Sequence, residues 1–385
     1  MALVEAHPDV LVLGDHPCTY LAAALLRENS TLRVLHSVAP KEGDWPKPSS
    51  TDHLVEINPA LFDLHKCLQP LRRKLNLSSI YGIKFLSDDP AVHNEHRSKS
   101  MLGLVGYFRE LQLWAVDLAK ESGVKLISPR TLEIQRLDET GLDILIDGQP
   151  IRPTAMVLGC ELPHPQASLL GLGESWDREV IHQFSTATLP RGITADLGSR
   201  PLMPMSLDLK KTLGWAWMLQ HEERIQISVM QRIGEAEEPN PVKMLEHWVG
   251  VLRAHNILVG KGRPLGSDDV CSSHLPLAGA MAHEGVANRT LLIGPGGGFY
   301  SACAEDIYPN CWSAVFAAAA MRSALKEKHL QDALQHYRQV WRTTLGDYLR
   351  GPQQNLRFLL PLIYRNSVMA TRLCESILLG KSVVR

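Results

Sequence analysis

The chain has 385 residues, of which 45% are hydrophobic and 21% are charged, a composition that excludes a disordered chain. Its 40 Lys and Arg residues against 41 Asp and Glu residues give a net charge of −1. This balance excludes the basic surface that nucleic-acid binding needs. Because the length exceeds that of a usual single core, we expect two domains, one inserted in the other.

The cysteines and the N-terminus favour a cytoplasmic protein. All seven cysteines occur without a Cys-x-x-Cys pair, which argues against a zinc knuckle or a redox dithiol. No basic segment followed by a long apolar run opens the chain, so no secretory signal is predicted. The longest apolar run, near residues 312–321, is shorter than the roughly 20 residues that span a bilayer.

The first elements predict a βαβ unit: an apolar strand at 9–14, a helix at 20–27 and a strand at 31–35. The turn between strand and helix has the place of a phosphate-binding loop. His16 and Thr19 stand where the G-x-G-x-x-G pattern has its second and third glycines. A structural βαβ unit without a ligand is the alternative interpretation.

The middle of the chain predicts further helices and strands. We expect an amphipathic helix at 59–75, a polar loop at 88–100, a helix at 104–122, a hairpin at 131–147 and a strand at 155–159. Residues 180–233 read as short alternating strands, which predict a largely antiparallel inserted sheet. Trp215 and Trp217 lie on one face of such a strand. They could form the floor of an apolar pocket or pack against a neighbouring helix.

A glycine-rich turn connects a strand at 291–293 with an alanine-rich helix that starts near Ile307. The turn is Gly294-Pro295-Gly296-Gly297-Gly298, and it indicates either a cofactor loop or a tight turn. Helices are then predicted at 331–350 and 355–379, the second interrupted at Pro361. The apolar stripe of the last helix predicts core packing, with contact to a membrane surface as the alternative.

These segments together resemble the geranylgeranyl reductase family of FAD-dependent flavoproteins, within the p-hydroxybenzoate hydroxylase-like fold. Residues 294–298, 305–307, 313–314 and 317–318 follow the order of the family's Gly-Asp-Ala-Ala-Gly, Gly-Glu-Gly-Ile, Ser-Gly and Ala-Ala segments. The tail at 334–342 is similar to the family's C-terminal helix, and three less specific matches are residues 108–111, 159–162 and 214–217. The likeness therefore runs along nearly the whole chain.

The resemblance implies an α/β fold: a Rossmann-like FAD-binding domain, an inserted mostly antiparallel β substrate domain and a C-terminal helical tail. The FAD-binding domain would comprise 1–58, 101–178 and 275–325, the substrate domain 59–100 and 179–274, and the tail 326–385. It also implies a set of FAD contacts. These are Gly14, His16, Pro17, Cys18, Arg109, Gly294, Pro295, Gly296, Gly297, Gly298 and Ile307.

The sequence departs from the family at four FAD-binding places. Two turn glycines are replaced by His16 and Thr19, the ribose-binding acid is missing near His36, Asp-Gly becomes residues 161–162, and the aspartate of Gly-Asp becomes Pro295. Three interpretations stay open. The first is an FAD-dependent oxidoreductase acting on an apolar, isoprenoid-like substrate. The second is a flavin-free homologue that uses Trp215 and Trp217 to bind a hydrophobic ligand or partner. The third is an isomerase or cyclase with His16, Glu161 or Glu305 as acid or base.

Overall fold

The structure is a computed structural model. It describes residues 7–40, 42, 52–138, 140–160, 181–209, 214–232, 240–276, 285–301, 307–350 and 356–381. Within these residues, no helix has both the length and the apolar character that a bilayer crossing requires.

The described residues form strands and helices along the whole chain. The strands of the first half are β1 (Val10–Leu13), β2 (Val34–Ser37), β3 (Leu54–Ile57), β4 (Ser78–Ile80), β5 (Gly82–Leu86), β6 (His93–Arg97), β7 (Gly103–Tyr107), β8 (Lys125–Ile127), β9 (Leu132–Asp138), β10 (Gly141–Ile146), β11 (Gln149–Ile151) and β12 (Ala155–Leu158). Those of the second half are β13 (Ile181–Thr188), β14 (Thr194–Ala195), β15 (Met203–Ser206), β16 (Gly214–His221), β17 (Arg224–Arg232), β18 (Leu258–Val259), β19 (Val270–Pro276), β20 (Val286–Ala287) and β21 (Thr290–Leu292). The α-helices are α1 (Pro17–Arg27), α2 (Leu71–Lys74), α3 (Phe108–Glu121), α4 (Pro241–Ala254), α5 (Ile307–Ala324), α6 (Leu330–Arg350), α7 (Leu356–Ile363) and α8 (Ser367–Leu379).

A six-stranded sheet of order β20-β21-β12-β1-β2-β8 forms the first layer. Strands β21, β12, β1, β2 and β8 are parallel, and β20 pairs antiparallel at the edge. All residues of β1 and β12 are apolar and buried because both faces of the sheet are covered. Val10 and Val12 face the cluster that contains α1, α5 and α6, whereas Leu11 and Leu13 face the hairpin strands β9 and β10 and strand β11.

A seven-stranded sheet of order β19-β13-β17-β16-β15-β5-β6 forms the second layer and is antiparallel except between β15 and β5. Side chains alternate across β16, so that Ala216 and Met218 pack with α4 while Trp215 and Trp217 pack with the C-terminal helices α7 and α8. A three-stranded sheet of order β3-β7-β4 lies beside it. Gln226 of β17 connects the two sheets, because its Oε1 accepts the N–H of Leu54 and its Nε2 donates to the Leu54 carbonyl.

The predicted α/β fold class is confirmed, but several elements differ from the sequence predictions. The single helix expected at 59–75 is a 3-10 turn at Pro59–Asp63 and the short α2, because Pro70 has no N–H and stands at the start of α2. The loop expected at 88–100 contains the edge strand β6. The helix expected from 104 begins at 108, since Gly103–Tyr107 pairs with β3 and β4 instead. Pro361 lies inside α7, which ends two residues later at Ile363, and α8 begins at Ser367.

Candidate functional site

Three predicted cofactor segments meet at the carboxyl edge of the six-stranded sheet. They are the β1–α1 turn (14–19), the end of β12 (159–160) and the turn after β21 (294–298), and we call them together the cradle. A Cβ added to Gly14 would lie 3.1 Å from the backbone carbon of Gly159, and one added to Gly296 would lie 2.9 Å from the oxygens of Leu158 and Cys160. This edge is where open α/β sheets bind ligands.

The N-terminus of α1 is capped by the side chain of His16. Its Nδ1 accepts the N–H of Cys18 at 3.2 Å and lies 3.0 Å from the Cys18 Sγ. Pro17, at the first helical position, has no N–H, and the N–H of Thr19 donates to the His16 carbonyl at 2.9 Å. In a dinucleotide-binding turn such donors face a pyrophosphate. Here the N–H groups of residues 17–19 are absent or bonded within the protein.

Thr19 fills the space that a third glycine would leave. Its hydroxyl lies 2.8 Å from the His16 carbonyl oxygen and 3.1 Å from the Nε2 of His36. Its methyl group packs onto two glycines, since a Cβ would lie 2.9 Å from it at Gly14 and 2.2 Å from it at Gly159. Helix α1 therefore packs closely on the sheet even with Thr19 at this position, because the facing Gly14 and Gly159 have no side chain.

His36 continues this polar network where the family has its ribose-binding region. It is fully buried on β2, and its ring stacks on that of Tyr20 with centroids 4.1 Å apart. Burial lowers the pKa of His36 to about 3, so the imidazole is neutral at pH 7. The Tyr20 hydroxyl donates to Asp15 at 2.6 Å, and burial raises the pKa of that carboxyl. Gln112 of α3 donates to the Asp15 carbonyl at 2.8 Å and holds the turn.

The glycine-rich turn is a 3-10 turn in which the N–H groups of Gly294, Gly297 and Gly298 are bonded within the protein. The N–H of Gly294 donates to the Ser313 hydroxyl at 3.0 Å, and that of Gly298 donates to the Pro295 carbonyl at 3.0 Å. Gly294 and Gly298 have φ values of +50° and +68°, a region that favours glycine. Pro295 supplies neither an acceptor side chain nor an N–H. The tight turn that the sequence left open as an alternative accounts for these glycines.

The two turns of the cradle touch each other. A Cβ on Gly294 would lie 2.4 Å from the Cys18 Sγ, so the thiol occupies the space beside the glycine. From α5, the buried Asn310 places its side-chain nitrogen 3.5 Å from the Nε2 of His16, and its Oδ1 has no hydrogen-bond partner among the described residues. Exchanging the amide oxygen and nitrogen would let His16 Nε2–H donate to this oxygen. No motif in the sequence points to Asn310.

The remaining predicted cofactor residues are spread around the cradle. Arg109 is exposed on the first turn of α3, and Ile307 is buried at the start of α5. Glu161 and Glu305 lie outside the described residues. The contacts of all these residues with a cofactor stay a prediction. Among the described residues, no group of three or more His, Cys, Asp and Glu side chains could hold a metal ion.

Trp215 and Trp217 lie in packed core, away from the cradle. They are 6% and 2% exposed, and the ring of Trp217 stacks on Phe184 with centroids 5.7 Å apart. The same cluster contains side chains of the C-terminal helices, namely Ile363, Leu373, Cys374 and Ile377. Of the two interpretations of this pair, packing against a helix describes the observed contacts. Their assignment to a substrate pocket stays a prediction.

A groove of about 580 Å3 opens elsewhere, and we call it the groove throughout. It is lined by residues 78–81 and Val105 of the small sheet, by residues 195–199 and 201–203 before and in β15, and by residues 218–220 and 222 at the end of β16. No residue of the predicted site lines it. Because segments distant in sequence contribute to it, no local motif announces it.

The cradle does not fit FAD in the manner of the family. The side chains of His16, Cys18 and Thr19 occupy the positions where the family leaves space for backbone to approach pyrophosphate. The N–H groups of Cys18, Thr19, Gly294, Gly297 and Gly298 are bonded within the protein. The strand that should end in a ribose-binding acid carries a buried, neutral His36.

Solved structures nevertheless match nearly the whole chain, although no protein-family model and no curated protein matches the sequence. A geranylgeranyl bacteriochlorophyll reductase-like protein from Thermoplasma acidophilum has a TM-score of 0.69 at 13% identity, over 96% of this chain and 88% of its own. A flavin-dependent brominase has a TM-score of 0.63 at 14% identity, over 95% and 89%. A mutant of the halogenase PltM in complex with FAD has a TM-score of 0.59 at 12% identity, over 95% and 79%. The chain therefore has the fold of FAD-dependent oxidoreductases.

Proposed function

We propose that this protein is a flavin-free ligand-binding protein on the scaffold of FAD-dependent oxidoreductases. The observation that carries the proposal is the closure of the cradle by the protein's own groups. His16 caps α1, Thr19 lies between helix and sheet, and Cys18 contacts Gly294. A fold is retained through its core, whereas a function depends on the site, so the scaffold can persist after the cofactor site has closed.

The rival proposal is an FAD-dependent oxidoreductase acting on an apolar substrate. The specific observation in its favour is the structural likeness to flavoproteins, one of them in complex with FAD. In that case the flavin would supply the redox chemistry. His16 is a poor general base for the non-redox alternative, because its Nδ1 already accepts the N–H of Cys18 and only 6% of the residue is exposed.

The visible absorption spectrum of the purified protein distinguishes the two proposals. It should be recorded before and after incubation with excess FAD and desalting. We expect a colourless protein in both samples, whereas retained flavin bands would contradict the flavin-free proposal. A variant with His16→Gly and Thr19→Gly reintroduces the two missing glycines and serves as the matched comparison. Flavin retained by this variant alone would identify these side chains as the cause of closure.

A further inference from the structure

We infer that the groove is the ligand site, and that it takes a small cationic amphipathic molecule, such as an amine with an aromatic or aliphatic body. The inference rests on the proposed function in that the ligand is not a substrate presented to a flavin. The volume of about 580 Å3 lies within the roughly 300–1,000 Å3 of small-molecule sites. Since neither tryptophan of the predicted pocket lines the groove, this is a separate site.

Part of the floor of the groove is apolar and fixed by the core. Ile80, Val105, Leu202, Met203 and Leu219 line it, and all of them are at most 6% exposed as residues. Most of these residues belong to the buried hydrophobic cluster that contains Trp217, namely Ile80, Val105, Met203 and Leu219. A floor held in this way does not need to reorganise before an apolar group binds, which lowers the entropic cost of binding.

A hydroxyl group at the wall of the groove is held by a buried imidazole. The Ser78 hydroxyl lies 2.8 Å from the Nδ1 of His221, which is 1% exposed. The other ring nitrogen of His221 has no hydrogen-bond partner among the described residues. The ring meets that of Tyr107 edge-on, with centroids 4.9 Å apart. These contacts fix Ser78 as a polar anchor for a ligand whose apolar part covers the floor.

The charge at the rim of the groove determines which sign of ligand charge is favoured. The lining residues include the carboxylates Asp196 and Glu222, and none of them is Lys, Arg or His within the described chain. Asn76 donates to the Glu222 carboxylate at 2.6 Å, and the Gly198 N–H donates to that of Asp196 at 3.0 Å. Arg97 and Arg200 flank the groove without lining it. Arg97 donates to the Arg200 carbonyl at 2.9 Å and pairs with Glu95 at 3.6 Å. Two carboxylates and no cationic side chain among the lining residues favour a cation and disfavour an anion in the groove.

The test is isothermal titration of the full-length protein with three probes that share one ring system and differ in charge: tryptamine, tryptophol and indole-3-acetate. We expect saturable binding of tryptamine, weaker binding of tryptophol by roughly three- to fivefold, and the weakest binding of indole-3-acetate. No saturable binding of tryptamine, or tighter binding of indole-3-acetate, would overturn the inference.

Variants locate the binding without disturbing the fold. Glu222→Gln and Asp196→Asn change exposed side chains, and each should weaken tryptamine by roughly three- to fivefold while leaving tryptophol unchanged. Ser199→Trp, at an exposed rim position, should weaken all three probes by obstruction. Glu246→Gln on the exposed face of α4 is the matched control and should change nothing. If none of the three rim variants weakened tryptamine binding, tryptamine would bind outside the groove and the inference would be wrong.

The outcome is independent of the flavin experiment. Flavin bands in the absorption spectrum together with groove-dependent tryptamine binding would contradict the proposed function alone. A colourless protein that does not bind tryptamine would contradict the groove inference alone.

Discussion

The cradle and the groove are two concave regions of one molecule that differ in what fills them. In the cradle, His16 and Thr19 stand where the fold's relatives leave space, and both bond to the protein itself. Beside them, Asn310 Oδ1 and His36 Nδ1 have no hydrogen-bond partner among the described residues. In the groove, polar side chains line the wall, and a volume of about 580 Å3 stays open above a partly apolar floor. The difference shows that a shared fold does not predict which of its concavities binds a ligand.

The largest effect is expected where the two turns of the cradle touch. Gly294→Ala should destabilise the protein by roughly 3 kcal/mol, because the new Cβ would lie 2.4 Å from the Cys18 Sγ at a φ of +50°. In a Cys18→Ala background the same change should cost only about 1 kcal/mol, the part due to backbone conformation. Urea unfolding of the four proteins gives the coupling free energy.

Gly250→Ala is the matched control for this cycle. Gly250 lies on α4, and a Cβ there would meet nothing within 4 Å. The substitution should therefore stabilise the protein by about 0.5–1 kcal/mol through helix propensity. Additive effects of Cys18→Ala and Gly294→Ala would show that the two turns do not touch and that the cradle has room for a ligand.

A pH dependence of intermediate size is expected from His36. Its pKa is about 3 in the folded protein and about 6.5 in an unfolded chain. Below pH 6.5 the unfolded state binds more protons, so stability falls as the pH falls through the window from 6.5 to 3, by up to about 1.4 kcal/mol per unit. Between pH 7 and pH 5 the loss should be about 2 kcal/mol.

Urea unfolding of the wild type and of His36→Gln at the two pH values checks this expectation. The change in the free energy of unfolding between the two pH values should be smaller in the variant than in the wild type, by about 2 kcal/mol. His329→Gln, at an exposed position, is the control and should keep the wild-type dependence. An unchanged dependence in His36→Gln would mean that water or a ligand reaches the imidazole and that the cradle is open.

The smallest effect concerns the cap of α1. His16→Ala should cost about 1 kcal/mol, as expected for the loss of an N-cap side chain. Asn240→Ala removes the cap of α4, where the side-chain Oδ1 of Asn240 accepts the N–H of Lys243 at 3.1 Å, and it should cost a similar amount. Thermal unfolding compares the two variants. A gain of stability in His16→Ala alone would identify His16 as a residue retained for a ligand at the expense of stability.

The local part of the cradle could be predicted from the sequence, but its closure could not. The apolar run before Gly14 predicts β1, and the departures at His16 and Thr19 are visible as breaks in a motif. Their partners come from other elements: His36 lies 17 residues from Thr19, and Asn310 lies 294 residues from His16. Whether a substituted position opens or fills a site depends on such distant contacts.

The same reason explains the misassigned elements and the missed groove. Gly103–Tyr107 is apolar enough for a helix or a strand, and its pairing with both β3 and β4 decides between them. Trp215 and Trp217 share a strand face, as the sequence predicts, but the occupant of that face is the distant pair α7 and α8. The groove combines four chain segments that carry no motif, so only the tertiary structure reveals it.

The most direct test of the closed cradle is hydrogen exchange followed by mass spectrometry, with and without excess FAD. A closed cradle predicts that FAD changes the exchange of neither residues 14–20 nor residues 294–299. Most N–H groups there, among them those of Cys18, Thr19, Gly294, Gly297 and Gly298, are already bonded within the protein. Slower exchange in both segments on addition of FAD would contradict the account and would restore the cradle as a cofactor site.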